Sequence, residues 1–241
     1  SSGLLGESNY LNVPGLTGLR EKVLLRNPAG QVVRSEVRHT AGAGLAQPYL
    51  GTVEITQVEY PSLLDLDALP ANLVTEAERS MLSNLVLPEG RKFKPFSSIT
   101  RGEFAEAIVR AGLVPQYMAA SPMYTDAREA ALRNAVESVQ SNPGGALIAD
   151  ASGGRYSPHN PMTKLIAAIA YVRAAGLESR TAGAALPLTM ADAYSIPSAW
   201  RGHVALALQN GFIALDGNKF NPVRALTRIE FATALNRLVD R

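Results

Sequence analysis

Three threonines, Thr100, Thr163 and Thr227, lie 63 and 64 residues apart, and a cation follows each of them: Arg101, Lys164 and Arg228. Thr followed three residues later by Glu, as in Thr100/Glu103 and Thr227/Glu230, is a capping box, in which each side chain satisfies an orphan backbone N–H at a helix start. The basic residue therefore stands at the first helical position, where it opposes the macrodipole at a cost of about 0.3–1 kcal/mol. An anion docked there would be held by the cation and the helix end together. This is the chemistry of recognition, not of bond breaking. The alternative is that these cations are solvated or pair with Glu103, Glu230 or an acid of another repeat. Lys164 keeps the charge but lacks the planar fork of arginine.

Little else in the sequence carries chemistry. His39, His159 and His203 have no motif around them, and H-E-x-x-H, G-x-S-x-G and a glycine-rich phosphate loop are all missing. Cysteine is absent, which excludes disulfides, thiolate catalysis and cysteine-rich zinc sites. Asp216-Gly-Asn218 has the look of a calcium loop but lacks the later carboxylates and reads better as a turn. No metal or other cofactor is expected. The balance of 23 basic and 21 acidic residues, a net +2, gives no basic footprint for nucleic acid. No run of about 18 apolar residues could span a membrane. The start, SSGLLGES, has no initiator Met, basic n-region or apolar h-region and reads as that of a mature or excised fragment.

The cations belong to a repeat. Counting back from each threonine, a glycine lies at ten (Gly90, Gly153, Gly217), an aromatic at seven (Phe93, Tyr156, Phe220) and a proline at five (Pro95, Pro158, Pro222). Counting forward, Arg110, Arg173 and Arg237 lie at ten. Phe104, Ile108 and Ala111, like Phe231, Leu235 and Leu238, fall on one helical face and are expected in the core. A further helix precedes each of these. One starts from a capping box at Thr75–Glu78, one follows Asp126, and one follows Ser198 and ends at Asn210-Gly211. Asp67-Ala68, Asp126-Ala127 and Asp192-Ala193 introduce the three units. Trp200, the only tryptophan, shares a face with Val204 and Leu208, which suits a core residue, although a sugar platform is the alternative.

Ahead of the repeats, KVLLRNPAGQVVRSEVRH reads as two strands around Asn27-Pro28-Ala29-Gly30, and YLGTVEITQVEY as a third. The expected organisation is mainly α. A small antiparallel β segment (1–60), either the remnant of a β-sandwich or a sheet packed on the helices, precedes helix-loop-helix repeats over 61–116, 117–178 and 179–241.

The repeat resembles the S-layer homology module. The third unit carries the resemblance best, through Asp192, Trp200, Gly211, Asp216-Gly217, Phe220, Pro222 and Leu226-Thr-Arg-Ile-Glu-Phe231. The first matches at Phe93, Pro95 and Ile99-Thr-Arg-Gly-Glu-Phe104 but has no Trp and has Glu89-Gly90 for Asp-Gly. The second departs most, with Lys164-Leu-Ile in place of Arg-Ala-Glu. The resemblance implies a pseudo-threefold bundle that anchors an exported protein to cell-wall polysaccharide, often pyruvylated, or to peptidoglycan, in grooves between modules. It implies a secreted, envelope-associated, non-catalytic chain, and a role for the motif arginine in glycan binding. The candidate glycan-binding set is Arg101, Arg228, Lys164, Thr100, Thr227, Trp200 and Asp216. The arrangement also looks like the C-terminal extension of secreted subtilisin-like proteases. On that alternative the chain follows an upstream catalytic domain and aids its folding, stability or assembly without binding glycan.

Overall fold

The computed structural model describes the strands Leu4–Val13, Leu16–Arg26, Val32–Ala41 and Glu54–Thr56, and all of residues 63–241. The chain divides into two units, Ser1–Ser62 and Leu63–Arg241. In the first, the strands β1 to β4 form one antiparallel sheet in chain order, each paired with its sequence neighbour. The two strands read around Asn27–Gly30 are β2 and β3, with a register irregularity at Leu25/Arg26. The turn itself lies outside the described residues. Only Glu54–Thr56 of the third sequence-predicted strand is described as strand. β1 was not foreseen, because LLGESNYLNV mixes Gly, Ser and Asn, residues depleted in strands, into a weak alternation.

The second unit is helical: α1 (Ala71–Leu82), α2 (Arg101–Arg110), α3 (Ala130–Gln140), α4 (Lys164–Ala174), α5 (Arg201–Gln209) and α6 (Arg228–Val239), with short 3-10 turns ahead of α5. α1 begins four residues before the Thr75 capping box read from the sequence. Pro70, with φ −56° and ψ 145°, starts it, and Thr75 sits inside the helix with its hydroxyl donating to Ala71 O. Proline pre-sets the entry and lacks an N–H to orphan, so the chain turns helical at the first opportunity. α3 is capped by Glu129, which accepts from Ala131 N and Leu132 N, and not by Asp126.

Consecutive helices form pairs α1–α2, α3–α4 and α5–α6, but the packing runs between pairs: α2 against α3, α4 against α5, and α6 back against α1. At the centre, Ile99 N donates to Leu226 O (3.0 Å), Met162 N to Ile99 O (2.8 Å) and Leu226 N to Met162 O (2.7 Å). Three residues one position before the threonines thus close a ring of backbone hydrogen bonds, all fully buried. Below it, Phe104 packs on Phe231 and Tyr171 with ring centroids 5.1 and 5.9 Å apart. Phe104, Ile108, Phe231, Leu235 and Leu238 are buried as their periodicity predicts, and Ala111 packs partly buried against them.

The loops repeat the same backbone. Gly90, Gly153 and Gly217 adopt positive φ, as do Lys94, Ser157 and Asn221 four positions on. Non-glycine residues in that region are uncommon. An aspartate holds each of them: Asp65 accepts from Phe93 N and Lys94 N, Asp126 from Tyr156 N and Ser157 N, and Asp192 from Phe220 N and Asn221 N. In the first pair this residue is Asp65, not the Asp67 read from the sequence. The carboxylate fixes the turn, and Phe93, Tyr156 and Phe220 drop from it into the core.

Candidate functional site

Each second helix of a pair begins inside the loop of the next pair. At α2, Thr100 N donates to Glu103 and Glu103 N to the Thr100 hydroxyl, closing the capping box. The two donors between them go to the next loop, Arg101 N to Asn160 O (2.9 Å) and Gly102 N to Pro158 O (2.8 Å). α4 does the same with Arg224 O and Pro222 O, and α6 with Ser97 O and Pro95 O. Thr163 and Thr227 cap in the same way, and Thr163 lacks only the reciprocal carboxylate. The orphan N–H groups of the helix starts are therefore occupied within the protein.

The cations follow their helices into the neighbouring loop. Arg228, 4% exposed, donates to Phe93 O (2.8 Å), Leu87 O (2.6 Å) and Glu103 (3.1 Å), and its guanidinium stands 5.6 Å from the Phe93 ring centroid. Lys164, wholly buried, donates to Ala214 O (2.8 Å) and Asp216 (3.2 Å) beside the Phe220 ring. Arg101 pairs with Asp150 (2.6 Å) and reaches Tyr156 O, and its buried Nε has no hydrogen-bond partner among the described residues. Leu87, Asp150 and Ala214 each lie three residues before the loop glycine, so the three cations meet the same point of successive loops. Each of the three cations thus pairs with an acid of a neighbouring helix pair.

Burial lowers the Lys164 pKa, and Asp216 opposes that shift. Burial would raise the Asp216 carboxyl, but hydrogen bonds from Asn221, Lys164 and Arg224 outweigh it and hold the group below its usual range. Arg224, which also pairs with the capping Glu230, joins the two acids. Asp216 itself is half-exposed in a two-residue bridge with Lys219. Trp200 is half-buried, with the Arg173 guanidinium 5.3 Å from its ring centroid and His203 edge-on at 5.0 Å.

A cleft of about 190 Å³ opens where α6 meets the first loop, with Arg228, Glu103, Glu89, Glu106 and Arg110 among the residues lining it. Its carboxylates outnumber its guanidinium groups. Among the described residues no group of His, Asp and Glu could hold a metal ion. His159 is exposed, His203 is buried against Glu178 (2.9 Å), and the side chain of His39 lies outside the described residues. No helix of the described residues is long and apolar enough to cross a membrane.

The second row of arginines closes each pair upon itself. Arg110 donates to Asn84 O and Leu85 O, Arg173 to Ala146 O, and Arg237 to Gly211 O. Asn84, Leu85 and Gly211 lie just beyond the ends of α1 and α5, where a cation complements the dipole, and Ala146 lies in the loop that follows α3. The aspartate-clamped loop, the full Thr–Glu capping box and the two arginines are thus all present in α1–α2 and in α5–α6. Residues 189–232 match the S-layer homology domain. S-layer homology domains are non-catalytic modules, and their general role is to attach proteins to the cell wall. The match therefore associates this chain with the cell envelope. No curated protein matches the chain. Within the S-layer homology segment, Arg224 and Glu230 form part of the site although only Glu230 stood out in the sequence. Arg224 replaces Ser97 and Asn160 of the other loops, so the repeat pattern could not single it out.

Proposed function

We propose that residues 61–116, 117–178 and 179–241 are three S-layer homology-type units closed into a pseudo-threefold bundle, and that they anchor a secreted protein to cell-wall polysaccharide or peptidoglycan. The family match over 189–232 carries this reading. The like construction of the three junctions, each with a capped helix start and a cation entering the next loop, supports its extension to the other two units. The glycan lies in the clefts between units. Arg101, 12% exposed and paired with the half-exposed Asp150, and the half-exposed Asp216 meet it at the cleft rim. Arg228, Lys164, Thr100 and Thr227 shape the cleft, and Trp200 walls the junction of the second and third units.

The test is co-sedimentation of the chain with purified sacculi, with thermal melts run in parallel. The wild type sediments, and Arg101→Ala, assayed at a temperature where its melt shows it folded, reduces retention by about tenfold, the loss of one charge-assisted contact. Full retention in Arg101→Ala and in Arg228→Lys would sink the cation mechanism.

The engagement of all three cations in contacts between units favours a second reading, in which the bundle is the structural C-terminal part of a subtilisin-like protease. On that reading the chain ignores sacculi, and its deletion from the parent protein abolishes protease maturation.

A further inference from the structure

Two connections join the helix pairs, and they are built differently. Between α2 and α3 the chain presents Tyr117, Met118 and Met123 to solvent, but its backbone is tied to α3. Ser138 Oγ accepts from Tyr117 N (2.8 Å), and the buried Glu137 carboxylate accepts from Ala119 N (2.7 Å) and Met123 N (3.0 Å). Arg133 donates to Glu137 and to Ala119 O, which closes the clamp. Between α4 and α5 the chain is open. After the 3-10 segment Glu178–Gly183, residues 184–187 run without regular structure. The backbone N–H groups of Ala185, Leu186, Leu188 and Thr189 have no hydrogen-bond partner among the described residues, and a bond from Met190 N to Pro187 O (3.1 Å) spans the turn. Side chains alternate along this stretch: Ala184 and Leu186 pack against the core, whereas Ala185 and Pro187 face solvent. Leu188 is 104% exposed, as open as in an extended peptide, and Met190 returns to the core.

We propose that the Leu188–Thr189 bond is a processing site for a serine endoprotease with an apolar S1 pocket, and that the cut chain stays assembled. Such an enzyme binds its substrate as an added β-strand, in which main-chain hydrogen bonds give affinity and pockets for alternate side chains give specificity. With Leu188 in the S1 pocket, the strand edge required is Leu188 N and both polar groups of Leu186, which are unpartnered here. Pro187 falls between them, where no N–H is needed. The outward Ala185 and Pro187 reach the neighbouring pockets, and Leu186, facing the bundle, is not read. In the reaction the enzyme's serine oxygen adds to the Leu188 carbonyl, Thr189 leaves as an amine with the serine's proton, and water releases the Leu188 carboxylate. Other exposed apolar residues are protected by their backbones. Leu64 N donates to Arg91 O, Tyr194 sits in a turn closed by Ser195 N on Asp192 O, and the carbonyls flanking Phe96 and Val223 accept from helix starts. The family match begins at residue 189, so the cut leaves the matched segment whole. Packing of α5 on α4 and of α6 on α1, with the Leu226 bonds to Ile99 and Met162, holds the C-terminal piece in place. The inference goes beyond both readings of the function and depends on neither.

The test is limited digestion of the full chain with subtilisin, with the cuts mapped by mass spectrometry. Subtilisin accepts many apolar and aromatic side chains, so the fold decides the site. Within residues 63–241 the first cut falls after Leu188. Leu188→Asp slows it at least about tenfold, as a charge entering an apolar pocket implies, at unchanged Tm because the side chain is fully exposed. Tyr117→Ala and Met118→Ala leave the rate unchanged. The nicked protein elutes from size exclusion as one species and separates only in urea. A first cut elsewhere in 63–241, or an undiminished rate in Leu188→Asp, overturns the site. Release of the C-terminal piece without denaturant overturns the assembled product.

Discussion

A helix that starts with a cation places like charge against its own dipole, and Arg228 shows what balances it. The guanidinium leaves its own helix end and donates to two carbonyls and a carboxylate of the first loop and helix. Arg228→Ala would leave Phe93 O and Leu87 O without a donor in a buried place, at about 3 kcal/mol. Urea unfolding of the full chain measures this, and a loss under about 1 kcal/mol would mean that water replaces the guanidinium. The sequence showed that the three cations were equivalent but not where they pointed. Their partners are chiefly backbone carbonyls of a loop 50 or more residues away, and a carbonyl has no residue type by which to recognise it. Asp65 was misread as Asp67 for a related reason. Both are aspartates near the right spacing, and only the clamp on Lys94 N distinguishes them.

At the scale of elements, the second helices were legible, since capping boxes and a glycine, aromatic and proline grammar mark them. The first helices were less so. α5 is entered through 3-10 turns with no side-chain cap, and α1 through a proline. Between α4 and α5 the 3-10 segment Glu178–Gly183 crosses so close that a Cβ at Gly202 would overlap the Thr181 carbonyl. Gly202→Ala must push the backbones apart and is expected to cost about 2–3 kcal/mol. Gly183→Ala, with nothing near its Cβ, is expected to be neutral or to stabilise by about 0.5 kcal/mol through the unfolded chain. Paired thermal melts decide the matter. Equal effects at the two sites would mean that the close approach does not exist in solution.

For the helical unit as a whole, the capped helix starts and the central hydrogen bonds need partners from all three helix pairs. Residues 179–241 alone would expose Leu226, Lys164's partner Ala214 O and the face of α6 that covers α1. That fragment is expected to show no cooperative thermal transition by circular dichroism, and a sharp one would refute the interdependence. Acid should act on the whole unit as well. Burial would raise Asp126, Asp192, Glu137, Glu178 and Glu230, but hydrogen bonds from backbone N–H, arginine and His203 outweigh it and hold all five below their usual values. Groups depressed in the folded state contribute stability that is complete above the ordinary carboxylate range, about pH 4–4.5, and is lost as pH falls through the folded values. Tm should be flat from about pH 5.5 to 7 and drop below about pH 4; a Tm that rises on acidification would contradict the clamps. The ring through Ile99, Met162 and Leu226 also bears on how such a chain can evolve. An open solenoid lengthens by duplicating a repeat at either end and needs special terminal caps. Here the last helix covers the first, so there is no end to extend. A further helix pair would have to break a junction to enter. The closed set leaves its three pairs free to diverge in place but not to multiply by simple end-on addition, and the third loop carries Tyr194 and Arg224 where the corresponding positions of the other two hold Asp67 and Arg128, and Ser97 and Asn160.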